Sequence, residues 1–285
     1  MNNIFDIKRF GLLAKKDFLE NWKKHLMTFL SIFGILSIFL TYRYYEYYDY
    51  LAKTGNYFNE WLSYCRDQVT FVIGMFFIFG VASASSLMEP INSRAKKISY
   101  LMNPASSFEK YFLQWGRTTI VFILLYIVAF FFADFVQWLI CSIRFPSMDV
   151  QAIDLSAFGV GDNHEIFDYW RTFFTLLSFY FFIQSLFVLG STFWPKFSVA
   201  KTFCAALIII ALYLIVCGGL ISSLFADGAD DFMRTLEYVP GMKSLEDDEG
   251  KTLSLIFTSV FSFFAITNWT IGFFRFKETE IIKRF

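Results

Sequence analysis

Asp134 is the one clear acid inside a long apolar run of this chain, and Gln137 lies one helical turn further along the same side. Gln184, in the next apolar run, is a possible partner. A charged side chain at the middle of a membrane helix costs roughly 2.5–3.5 kcal/mol on insertion scales, so Asp134 must face protein or water. Two readings follow: a polar patch or proton-linked site in a pathway, or a satisfied hydrogen bond between helices, with the acid held neutral. Other chemistry-bearing types are sparse. His25 borders an apolar run, and His164 sits beside Asp162 and Glu165 in a polar segment. Cys65, Cys141, Cys204 and Cys217 form no CxxC pair. Cys204 and Cys217 read as small residues within apolar runs. Cys65 and Cys141 fall near one membrane face, where either free thiols or a disulfide is compatible with the spacing. HExxH, GxSxG and GxxxxGK[ST] are all absent, so the expectation is a chain that neither catalyses nor binds ATP itself, with no metal site.

A second constellation lies in a polar segment. Asn103-Pro104 should end any helix coming from Ile98, Tyr100 and Leu101, because the residue before proline avoids helical backbone angles. Ser106 then offers an N-cap and Glu109, three residues on, can return the bond to the cap's own N–H. That capping box predicts a new helix running through Lys110, Phe112 and Trp115 into the next apolar run.

The elements that position these groups are set by charge segregation. Of 285 residues, 56% are hydrophobic and 40 are Phe, against about 45–50% apolar in ordinary soluble domains. The charged residues cluster in intervening segments and leave runs long enough for the roughly 20 apolar residues a bilayer requires. Six spans follow, at about 26–42, 69–89, 118–142, 172–193, 202–223 and 252–274. The first follows a long charged segment and ends in Thr41-Tyr42-Arg43-Tyr44, unlike a cleaved signal peptide, so it stays as an anchor. The prediction is an all-α polytopic membrane protein, one transmembrane domain over 1–285, with an N-terminal amphipathic surface helix in 1–25.

With the N-terminus inside, segments 1–25, 90–117, 194–201 and 275–285 hold 17 Lys and Arg, and segments 43–68, 143–171 and 224–251 hold 8. That bias puts both termini in the cytoplasm. Net charge is zero, so no basic field invites nucleic acid. Ile7, Phe10, Ala14, Phe18 and Trp22 recur at helical spacing before the first span, with Lys8, Arg9, Lys16, Lys23 and Lys24 mostly elsewhere. Such a helix suits a membrane surface with its basic side toward anionic lipid head groups; a plain charged leader is the alternative. The tyrosines of 42–50 read as an interfacial belt. Gly80 with Ala84, and Ala82 with Ser86, have the small-xxx-small spacing of close helix packing.

The stretch Leu101-Met102-Asn103-Pro104-Ala105-Ser106-Ser107-Phe108-Glu109-Lys110-Tyr111 resembles a loop found in membrane subunits of ABC-2-type transporters, and the plan of the chain is similar to theirs. The resemblance implies a permease subunit, an exporter by family tendency, in a bacterial cytoplasmic (inner) membrane. Segment 90–117 would be the coupling loop, with Tyr100, Asn103, Pro104, Ser106, Glu109 and Lys110 supporting a docked ATPase. ATP and Mg would sit on that separate ABC ATPase subunit, leaving this chain no cofactor of its own. A second permease copy or a related subunit would complete the pathway. Segment 224–251 departs from the family pattern: Asp227, Asp230, Asp231, Glu246, Asp247, Asp248 and Glu249 suit water better than a re-entrant helix. The sequence also admits a membrane anchor for assembly or sensing, and a stand-alone carrier coupled to ions through Asp134.

Overall fold

The computed structural model describes residues 5–54, 61–91, 98, 100, 102–158, 167, 169–194, 196–224 and 251–281. His164 with its acidic neighbours, residues 92–97 of the expected coupling loop and the acids of 225–250 lie outside them. Seven α-helices account for most of what is described: α1 Ile7–Thr54, α2 Trp61–Ser85, α3 Ser107–Gly116, α4 Phe122–Arg144, α5 Trp170–Phe193, α6 Ser198–Leu224 and α7 Lys251–Ile281. A π-helical turn, Arg117–Val121, joins α3 to α4 without a break. Among the described residues, six helical stretches are long and apolar enough to cross a membrane, α3 and α4 counting as one. The protein is an all-α, multi-pass membrane protein.

The first helix differs from its expected division into surface helix, span and polar segment. Over 48 residues it runs unbroken, about 72 Å at 1.5 Å per residue, more than twice a bilayer core. Nothing in the sequence ends it: no proline occurs before residue 90, and the two glycines, Gly11 and Gly34, each cost about 1 kcal/mol, too little to stop a helix this long. Its buried residues Ile32, Leu36, Leu40, Tyr44, Tyr48 and Leu51 recur every third or fourth position, one stripe along one face. That stripe seats on α4, where Phe122, Tyr126, Ala129, Phe130, Ala133, Gln137 and Cys141 are buried at matching intervals.

The expected tyrosine belt is therefore split. Tyr42, Tyr45 and Tyr50 are exposed, while Tyr44 and Tyr48 belong to the core. Tyr48 Oη accepts the Gln151 N–H at 3.1 Å, and Tyr47 stacks on Tyr64 with ring centroids 4.3 Å apart. Cys65 and Cys141 lie buried in this same cluster as free thiols.

The most extensive helix pairing is between α5 and α7, tied by side chains that replace water's hydrogen bonds. Thr175 Oγ1 lies 2.8 Å from Ser254 Oγ and 2.9 Å from Thr258 Oγ1, and Asn268 Nδ2 donates to Ser185 Oγ at 3.0 Å. In α2 the small residues work within the chain: a Cβ on Gly80 would stand 2.7 Å from the Tyr180 ring, and Ala84 is fully buried. Against α5 the chain turns through Phe197, whose φ of 55° is the left-handed conformation, and enters α6. Most of α6's apolar side chains are exposed, as a helix surrounded by lipid or by another subunit requires.

Candidate functional site

The predicted capping box is formed. Ser106 has extended backbone angles, its Oγ accepts the Glu109 N–H at 3.2 Å, and Glu109 Oε2 accepts the Ser106 N–H at 3.0 Å. The chain reaches it through a turn: Met102 N–H bonds the Ile98 carbonyl at 3.0 Å and Ala105 N–H the Asn103 carbonyl at 2.8 Å. Tyr100 Oη, buried, donates to the Lys110 carbonyl at 2.9 Å and so ties the two arms of the turn together.

Sequence spacing did not anticipate what else Glu109 does. Its carboxylate also takes both arms of the Arg9 guanidinium, Nε to Oε2 and Nη2 to Oε1, each at 2.7 Å. The Asp6 N–H adds a fourth donor at 2.8 Å. A carboxylate offers about four lone-pair sites, so these partners use it fully, and Glu109 is 0% exposed. Asp6 in turn caps α1, its Oδ1 accepting the Lys8 and Arg9 N–H groups. One carboxylate thus joins the starts of α1 and α3.

Three further contacts continue along the same face of α1. Lys16 Nζ donates to Asn103 Oδ1 at 2.7 Å, Asp17 Oδ1 lies 3.7 Å from Arg117 Nη1, and Lys24 pairs with Glu89. From position 9, positions 16 and 17 lie seven and eight residues on and position 24 fifteen, so the four fall within about 100° of one another on one face of the helix. Part of the basic side of this amphipathic helix is engaged by its own chain. Arg9, Lys16 and Lys24 reach two carboxylates and an amide oxygen of their own chain while staying partly open to solvent, whereas Lys8 and Lys23 are exposed, as are Ile7, Phe18 and Trp22. The partner acids are scattered through the sequence, and only the fold aligns them with this face.

The expected site residues therefore divide. Tyr100, Glu109 and Lys110 are buried, Asn103 and Ser106 are half-buried, and Pro104 is exposed beside Met102 and Phe108. What this turn presents outward is a small apolar knob on an internally bonded base.

Asp134 and Gln137 do meet, Gln137 Nε2 donating to Asp134 Oδ1 at 2.7 Å. The same oxygen accepts the Ile153 N–H at 3.1 Å, which fastens the segment after α4 back onto that helix. Gln184 is elsewhere. Its Nε2 donates to Thr119 Oγ1 at 2.9 Å inside the π-helical turn, and its Oε1 accepts the Trp269 Nε1–H at 3.1 Å. Tyr111 Oη donates to the Trp269 carbonyl at 2.9 Å. Thr119, Gln184, Ser185, Asn268 and Trp269 form a polar layer across three spans that spacing did not reveal. Asn268 and Trp269, polar groups in the last apolar run, were the available signal. Among the described residues no three His, Cys, Asp or Glu side chains gather as metal ligands.

Set against protein-family models, curated proteins and solved structures, the chain matches none of them.

Proposed function

We propose that this chain is the membrane-spanning permease subunit of an ABC-2-type transporter, working as an exporter and energised by a separate ATPase. The observation that supports the reading is the turn at Met102–Phe108. It carries the family-like stretch, projects apolar side chains outward, and is bonded to both α1 and α3 through Glu109. A docked ATPase that closed on ATP and Mg would push on this turn. Because Arg9 and Ser106 share one carboxylate, the push would enter the first and third spans together and rock the bundle between two packings. The membrane is a bacterial cytoplasmic membrane in this reading, with both termini and the turn inside, and a second copy or a related subunit completes the pathway.

Glu109 then acts as a positioning residue, and Met102 and Pro104 are the surface the ATPase touches. The test is affinity purification from the native membrane in mild detergent, wild type beside a Met102→Glu, Pro104→Ala double variant. A nucleotide-binding subunit that comes down with wild type and is depleted with the variant supports the permease assignment. No ATPase with a well-folded wild type, across several detergents, ends it and leaves a membrane anchor for assembly or sensing as the reading to pursue.

A further inference from the structure

At the end of the bundle that carries the start of α1, a cavity of about 190 Å³ opens between α1, α2 and the π-helical turn. One water needs roughly 10–15 Å³ of such space, so a polyatomic group fits. The lining changes character along the helix axes. Lys24, His25 and Arg117 line it at one end. Phe79, Phe122 and Leu125 line the other. In α1 and α4, which run the same way, the polar residues come first; in antiparallel α2 the aromatic precedes the hydroxyl of Ser86. Seven to eight residues separate Arg117 from Leu125 and Phe79 from Ser86, about 11–12 Å of helix rise. A basic end and an apolar end are thus stacked along the bundle's length.

Arg117 is the group this cavity leaves incomplete. Its side chain is 8% exposed and forms an ion pair with Asp17, whose carboxylate stands 3.7 Å from Nη1, too far to satisfy that N–H as a hydrogen bond. Nη2 is buried with no hydrogen-bond partner among the described residues. A buried cationic donor without an acceptor is costly, and the guanidinium fork matches two oxygens of one phosphate. The π-helical turn, which begins at Arg117, is a local irregularity that often accompanies binding sites.

We propose that this cavity binds a phosphate group, supplied by an anionic phospholipid, with the phosphate against Arg117 and the first methylenes of its chains between Phe79, Phe122 and Leu125. Basic pockets between spans at a membrane surface suit such head groups, and a free phosphate ion would leave the apolar end of the cavity unused. The inference is independent of the permease reading.

A ligand that binds the folded state raises its unfolding temperature. The full chain, stripped of lipid in neutral detergent, is melted with added phosphatidylglycerol, phosphatidylcholine or inorganic phosphate. The expected result is a rise with phosphatidylglycerol alone. Arg117→Gln removes the fork, and Leu125→Trp fills the apolar end while keeping every charge; each loses most of that rise. Leu124→Trp, at a neighbouring position 59% exposed, keeps it. Should Arg117→Gln fail to fold, the comparison of the two tryptophan variants still decides. An equal rise with inorganic phosphate overturns the lipid source and keeps the anion site. Equal responses to both lipids, or a rise untouched in Leu125→Trp, overturn the proposal.

Discussion

The Arg9–Glu109 pair is lopsided, and the asymmetry makes a prediction at the scale of single residues. Glu109 is fully buried, whereas the Arg9 side chain is 37% exposed. Removing Glu109's charge leaves an arginine that water can reach. Removing Arg9 leaves a buried carboxylate whose remaining donors are two backbone N–H groups. Stranding a buried charge costs about 3–5 kcal/mol, and losing a hydrogen bond to a charged group about 1.5–3. Arg9→Ala is therefore the more destabilising change of the two, compared with Glu109→Gln. Thermal unfolding of the two variants in detergent measures the difference; equal costs, or the reverse order, would show that the pair is not held as described. The capping half of this arrangement was readable from Ser106 and Glu109, three residues apart. The Arg9 half was not, because 100 residues separate the partners and nothing local marks which of six nearby basic residues is chosen.

At the scale of elements, close approach is the property to test. Gly80 and Gly34 both sit within apolar helices, yet a Cβ on Gly80 would meet the Tyr180 ring at 2.7 Å and one on Gly34 would meet nothing within 4 Å. Alanine has the better helix propensity by up to about 1 kcal/mol, so Gly34→Ala stabilises or is neutral. Gly80→Ala must move a buried aromatic ring that also packs on Phe76, and overpacking of this kind costs about 1–3 kcal/mol. The melting temperature should fall for Gly80→Ala and rise or stay unchanged for Gly34→Ala, and a Gly80→Ala variant as stable as wild type would contradict the α2–α5 contact. Small-xxx-small spacing suggested close packing here; that the neighbour is α5 of the same chain was settled by the bundle. Similarly, helical periodicity showed that 7–22 is helical, but could not say that α1 would continue for 48 residues, since no stop signal is also what a short helix with a frayed end looks like.

For the whole molecule, the segregation of Lys and Arg predicts an orientation that labelling can check. Single cysteines in place of Lys15 and Asp149, in a background with the native cysteines replaced, report on opposite ends of the bundle. A membrane-impermeant maleimide added to intact cells should label the second and not the first until the membrane is opened. The opposite pattern would invert the molecule, placing the Met102–Phe108 turn where no intracellular ATPase reaches it.

Composition and charge spacing by themselves determined the class of the protein: long uncharged runs leave a membrane as the only solvent in which six such helices can expose their sides, and that argument is local to each run. Turn chemistry at Asn103-Pro104-Ala105-Ser106 was equally local, and its cap formed as spacing required. Which faces meet was decided only by the tertiary structure. It paired Gln184 with Thr119 and Trp269 instead of Asp134, joined Arg9 and Lys16 of α1 to Glu109 and Asn103, and left Arg117 Nη2 beside a cavity without an acceptor among the described residues. Hydrogen bonds between helices contribute little each in lipid, on average about 0.6 kcal/mol, and leave no periodic mark in the chain. Their partners are chosen by packing of the apolar stripes around them, and that choice exists only once the helices are assembled.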